Sequence, residues 1–165
     1  MRQSKVLSVS VPAGVDSGNR IRLSGKGEAG FRGGPAGDLY IFIAVDPHPI
    51  LMRDGADILT RIPVPMTTAA LGGSIDVPTV EGRMARLTIE AGTQSGRRFR
   101  MRGKGMPVLR RSSRGDQIVE VQVETPTNLS KKQKDLLKQL GDTGATSPET
   151  ESFLKRARRI WADES

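Results

Sequence analysis

A single internal repeat constrains this chain more than any other feature. Ala13-Gly14-Val15-Asp16-Ser17-Gly18-Asn19-Arg20-Ile21-Arg22-Leu23-Ser24-Gly25-Lys26-Gly27 returns as Ala91-Gly92-Thr93-Gln94-Ser95-Gly96-Arg97-Arg98-Phe99-Arg100-Met101-Arg102-Gly103-Lys104-Gly105, at an offset of 78 residues. The register holds without a gap through Gly37-Asp38 against Gly115-Asp116 and on to Val45 against Val123. A unit of this length, present twice, implies two similar subdomains rather than a solenoid.

Within each copy the apolar residues alternate. Leu7-Ser8-Val9-Ser10-Val11 and Leu87-Thr88-Ile89 read as half-buried strands, as do Arg20-Ile21-Arg22-Leu23 and Arg98-Phe99-Arg100-Met101. Gly25-Lys26-Gly27 and Gly103-Lys104-Gly105 end the second strand of each copy. A last strand follows, Leu39 to Val45 or Gln117 to Val123. Short antiparallel strands are expected, and Ala56 to Val64 adds a strand to the second copy. Met66 to Leu71 reads as a helical turn or two stopped by Gly72-Gly73. The expected fold is therefore mostly β: two tandem small β-sandwich or barrel-like repeats followed by short C-terminal helices.

Those helices are readable from their caps. Ser130 with Gln133 forms a capping box ahead of Leu136, Leu137 and Leu140, and Gly141 supplies a stop. Asp142 to Thr146 is a polar linker, and Ser147-Pro148 opens a second helix. Phe153, Leu154, Ala157, Ile160 and Trp161 make one apolar stripe along it. The expected division is 1–47 for the latter half of a first β-rich subdomain, 48–127 for a second, and 128–165 for helices that form a homodimer.

Composition removes several function classes. There are no cysteines, so disulfides and thiolate metal sites are excluded. Nothing approaches a membrane-spanning run or a signal peptide, so a cytoplasmic, membrane-free protein is the default expectation. The net charge of +8 traces to Arg97, Arg98, Arg100, Arg102, Lys104, Arg110, Arg111 and Arg114, which have no acid among them; the other 18 basic residues balance the 18 acids. A patch at Arg97–Arg114 suits phosphate, but Phe99 is its only aromatic and alternation turns that ring inward. A nucleic-acid partner is not expected.

The remaining motifs carry little chemistry. Gly25-Lys26-Gly27-Glu28-Ala29-Gly30 matches a dinucleotide fingerprint literally, yet Phe31-Arg32-Gly33-Gly34-Pro35 cannot open the helix that such a site needs. His48, the lone histidine between two prolines, suits boundary packing rather than a metal. No nucleophile has a base partner, so no catalytic residue, metal or cofactor is expected and the chain is not expected to be an enzyme. One difference between the copies stands out: Leu39 to Val45 is apolar on both faces, whereas Gln117 to Val123 is polar on one. An apolar surface beside a strand edge suits extended peptides.

Val11-Pro12-Ala13-Gly14-Val15, Gly25 to Gly30, Gly37-Asp38-Leu39-Tyr40, Pro47-His48-Pro49, Ala69-Ala70-Leu71-Gly72-Gly73, Val77-Pro78-Thr79 and Arg102-Gly103-Lys104-Gly105-Met106-Pro107 together resemble the C-terminal region of DnaJ co-chaperones, most closely the bacterial type with a zinc module. The likeness runs from about Lys5 to Leu140. It implies two β-rich subdomains that bind unfolded client polypeptides, a C-terminal homodimer, and service to a DnaK-type ATPase in the full-length protein. It also implies that Leu7 and Ile41 line a client pocket, with Val9 and Ile43 beside them. His48-Pro49 is followed by Ile50, so the His-Pro-Asp motif of a J domain is lacking, and the Cys-x-x-Cys repeats of a zinc module are lacking too. The strands that would complete the first subdomain lie upstream of Met1. The alternatives are a nucleic-acid-binding β module using Arg97–Arg114, or a dimer module without client binding of its own.

Overall fold

The structure is a computed structural model, and it describes residues 4–144 and 146–162. Strands dominate and helices are short and mostly C-terminal, with no closed barrel. Two compact units divide the chain, residues 1–125 and 126–165.

The first unit holds the repeat. Strands β1 (Arg20–Leu23) and β2 (Leu39–Phe42) pair antiparallel, Ile21 opposite Ile41. Then come β3 (Met52–Asp54), β4 (Asp57–Pro65), helix α1 (Met66–Leu71), β5 (Gly73–Pro78), β6 (Met84–Ile89), β7 (Arg98–Met101) and β8 (Gln117–Glu124). A four-stranded sheet runs β3-β4-β8-β7, and β5 pairs with β6. The expectation of antiparallel strands fails at one pair: β4 lies parallel to β8, Thr60 opposite Val119. The long connection through α1, β5, β6 and β7 makes that crossover possible.

The two copies share hydrogen bonds at their corresponding turns. Asp38 accepts from the Gly25 N–H at 3.0 Å and Asp116 from the Gly103 N–H at 2.9 Å. Ser17 Oγ accepts from the Val45 N–H at 2.8 Å, as Ser95 Oγ does from the Val123 N–H at 3.0 Å. Gly25 and Gly103 share a left-handed φ of 68° and 69°, which lets each turn its N–H toward the carboxylate.

The core lies in the second copy. Val64, Ala69, Ile89 and Val121 are buried together, with Leu87 and Phe99 packed against them. No described residue before Ile58 is buried. The offset explains the asymmetry: the counterparts of β4, α1 and β5 would precede Met1, so the first copy shows half of the unit. For the same reason the strand expected at Leu7–Val11 does not form. Its equivalent, β6, is held by β5, and Leu7–Val11 has no such neighbour among the described residues. The strand expected to run to Val45 stops at Phe42, although the Ile43 N–H still donates to Asn19 O at 2.8 Å.

The second unit contains α2 (Lys131–Asp142) and α3 (Pro148–Ala162). The Ser130–Gln133 capping box is present on both sides. Gly141 does not stop α2, which runs one residue further to a Thr143 cap. A single glycine in a last turn costs less than the hydrogen bonds it would forfeit by unwinding. Asp142 therefore belongs to the helix rather than the linker, and residue 145 of that linker lies outside the described residues. Among the described residues no helix is long and apolar enough to cross a membrane.

Candidate peptide-binding surface

The four residues singled out for client binding lie in the half-complete first copy. Ile41 is half-buried in β2, and Ile43 is half-buried just beyond it. Val9 is half-buried and Leu7 is 36% exposed, both in irregular chain. Their partners in the repeat explain their character. Ile41 and Ile43 correspond to Val119 and Val121, each 0% exposed in the core of the second copy, and Val9 corresponds to Leu87. The first copy thus presents, partly open, the face that the second copy closes.

The strand neighbours differ as well. In the second copy β8 has β7 on one side and β4 on the other. Among the described residues β2 pairs only with β1, because the 78-residue offset puts the counterpart of β4 before residue 1. The strand is apolar on both faces, and one of them is open: Tyr40 is exposed and Phe42 is 72% exposed. The position of Phe42 is held in the second copy by Glu120, which pairs with Arg61 at 2.7 Å and Arg98 at 3.1 Å. An ion-pair network on one copy is replaced by bare apolar surface on the other.

The junction between the copies is fixed by residues that the sequence did not mark. Arg53 of β3 donates to Val15 O at 2.7 Å and Gly14 O at 3.2 Å, 38 and 39 residues away. Its Nε donates to Gly55 O at 2.8 Å, so one guanidinium satisfies three carbonyls. His48 does organise the boundary, its Nδ1 accepting from the N–H groups of Ile50 and Leu51 at 3.1 Å each. A cavity of about 400 Å³ lies beside it, lined among others by Val45, Leu51, Met52 and Met106. The long-range carbonyl partners of Arg53 leave no trace in local pattern, which is why alternation and spacing missed them.

The basic run divides in two. Arg97, Arg98, Arg100 and Arg114 pair with Glu90, Glu120, Asp116 and Glu81. Phe99 is half-buried as expected, with the Arg97 guanidinium 4.8 Å from its ring centre. Half of the charge that suggested phosphate is therefore spoken for by acids brought in from other segments.

These pairs hold three carboxyls below their usual range. Asp116 is lowered chiefly by the Gly103 N–H and then by Arg100, and Asp38 by Gly25 and then Arg22. Glu120 is lowered by its hydrogen bonds from Arg61 and Arg98. A carboxyl depressed in the folded state stabilises it above the unfolded value and loses that contribution as pH falls through the folded one. Thermal melts from pH 7 to pH 2 should therefore fall away below the ordinary aspartate value of 3.8. Asp116→Asn should lower the melting temperature at neutral pH and flatten that acid limb. An acid limb unchanged in Asp116→Asn and Asp38→Asn would show that these clips do not govern it.

The sequence comparisons bear on the whole of this surface. Residues 1–126 match the family model for the DnaJ C terminal domain, and residues 132–163 match that for the chaperone protein DnaJ C-terminal region. This chain belongs to the DnaJ C-terminal domain family. It is 56% identical over 164 residues to the chaperone protein DnaJ of Rhodospirillum centenum, covering 98% of this chain and 43% of that one. The same-named proteins of Paramagnetospirillum magneticum and Dinoroseobacter shibae are 53% and 51% identical, with 98% and 96% of this chain covered and 44% and 42% of theirs. The chain thus spans less than half the length of these DnaJ relatives.

Proposed function

We propose that this chain is the client-binding and dimerising part of a DnaJ-type co-chaperone. It captures extended, apolar segments of unfolded polypeptides, which the full-length protein hands to a DnaK-type ATPase in the cytoplasm. Residues 1–47 and 48–127 act as the two β-rich subdomains and 128–165 as the dimerising part. The role is binding, not catalysis. The observation that carries this reading is the match of residues 1–126 to the DnaJ C terminal domain, together with the half-closed apolar face of Ile41 and Ile43.

A client strand added to the first subdomain gains backbone hydrogen bonds, while Leu7 and Ile41, with Val9 and Ile43 beside them, take its side chains. Each large aliphatic buried contributes about 1.5–3 kcal/mol, offset by the ordering of the client. Affinity per site is therefore low, and a homodimer raises it by holding two sites together. The stripe of Phe153, Leu154, Ala157, Ile160 and Trp161 supplies the second copy's contact. Glu149 and Glu151 at the start of α3, each followed seven residues later by Arg156 and Arg158, suit a copy running the opposite way.

Fluorescence anisotropy with an apolar peptide tests the site. Leu7→Asp and Ile41→Asp should each weaken binding about tenfold, the equivalent of one lost aliphatic contact. Circular dichroism confirms that the variants fold. Equal affinity of both folded variants and the parent chain would sink the assignment.

A further inference from the structure

A second groove, of about 630 Å³, lies where the first copy meets the second. Its apolar lining includes Val15, Ile21, Phe42 and Leu109, and its charged lining is Arg20 and Arg110 with no carboxylate. On β2 the side chain of Phe42 alternates to the face opposite Ile41, and its cross-strand partner Arg20 shares that face. The Arg20 guanidinium lies 5.3 Å from the Tyr40 ring centre, a contact that orients it and leaves its charge uncompensated. Arg110 has no ion pair among the described residues, unlike Arg97, Arg98, Arg100 and Arg114. Its backbone adopts a left-handed φ of 61°, in a turn closed by the Arg111 N–H donating to Val108 O at 3.1 Å. That conformation favours glycine, and Arg32 at the same position of the first copy shares it with a φ of 54°.

We propose that this groove binds an extended polypeptide segment carrying a carboxylate beside apolar side chains. Arg20 and Arg110 supply forked donors that match a carboxylate, while Phe42 and Leu109 take the neighbouring apolar groups. Two cations without an internal acid give the complementarity, and the apolar lining selects a peptide over a phosphodiester strand. The inference goes beyond client capture at β2, which requires no charge on the ligand.

The full chain should be titrated by anisotropy with two dye-labelled peptides that share an apolar centre and differ only in flanking glutamates or lysines. The acidic peptide should bind about tenfold more tightly at physiological salt. Arg110→Gly, which suits the left-handed turn and so keeps the fold, should remove most of that preference, and adding Arg20→Gln should abolish it. Arg32→Gly is the control: it has the same repeat position and left-handed backbone, φ 54°, but lies outside the groove. It should change nothing. Equal affinity for the two peptides, or a preference that survives the double variant, overturns the proposal. So does displacement by a single-stranded oligonucleotide with a steep salt dependence, which would assign the groove to nucleic acid. If neither peptide binds, client capture falls as well. If only the charge preference is missing while Leu7→Asp still weakens an uncharged apolar peptide, the groove alone is lost.

Discussion

The intact chain should be a dimer and a chain ending at Thr146 a monomer, with both β repeats still folded. The cause is the state of α3. Phe153, Leu154, Ile160 and Trp161 are all exposed, and Ala157 is half-buried. Fifteen residues make a helix about 22 Å long, which is marginal in water without a packed face. Glu149 and Glu151 at its N-terminus and Arg159 near its C-terminus favour the helix through its dipole, but by tenths of a kcal/mol to about 1 kcal/mol each. Packing four large apolar side chains against a second copy contributes several times that, at about 1.5–3 kcal/mol apiece. The core of Val64, Ala69, Ile89 and Val121 lies wholly in the other unit, so its strands do not depend on α3. Light scattering at tens of micromolar should report twice the chain mass for the intact protein and one chain mass after truncation. A monomeric intact chain would overturn the dimer, and residues 163–165, outside the described part, are lost with the same cut.

Much of this architecture was legible because the repeat carries its own register. Once Gly25-Lys26-Gly27 is laid on Gly103-Lys104-Gly105, the turns and the strands that follow them are fixed in both copies. The capping box at Ser130 and the proline at 148 were read from one turn of helix each, where local chemistry decides. What alternation could not give was partnership. Leu7–Val11 has a strand's pattern, but a strand needs a neighbour, and the neighbour's counterpart, β5, has no equivalent in this chain. The parallel pairing of β4 with β8 joins residues 59 apart, such as Thr60 and Val119, and nothing local distinguishes it from a hairpin. The candidate site followed the same division. The resemblance pointed to Leu7 and Ile41, with Val9 and Ile43 beside them, but the openness of Ile41 and Ile43 is visible only beside the closed Val119 and Val121. Arg53, which ties the two copies together, resembles any other arginine in sequence.

A large loss of stability is expected from Gly105→Ala. A Cβ at Gly105 would sit 2.5 Å from the Gly115 carbonyl carbon and 2.7 Å from the Asp116 N. Both are backbone, so no side chain can yield by changing rotamer. Around this point the Met106 N–H donates to Ala56 O at 2.7 Å and the Gly105 N–H to Gly115 O at 2.9 Å, which ties the turn to the start of β4 and β8. Forcing the strands apart here opens the sheet that holds Val119 and Val121. A cost of about 4 kcal/mol, in the upper range for a single substitution, lowers the melting temperature by about 10 °C for a chain of this size. Gly103→Ala provides the contrast: its site is open, and the penalty is the left-handed φ of 69° alone, about 1 kcal/mol. Gly27→Ala repeats the Gly105 clash in the first copy, 2.6 Å from Asp38 O. Because no described residue of that copy is buried, it should disturb the β1–β2 pair and move the main transition far less. Calorimetry on the three variants should rank them Gly105→Ala well above both others, and a Gly27→Ala loss equal to that of Gly105→Ala would show that the first copy carries as much of the stability as the second.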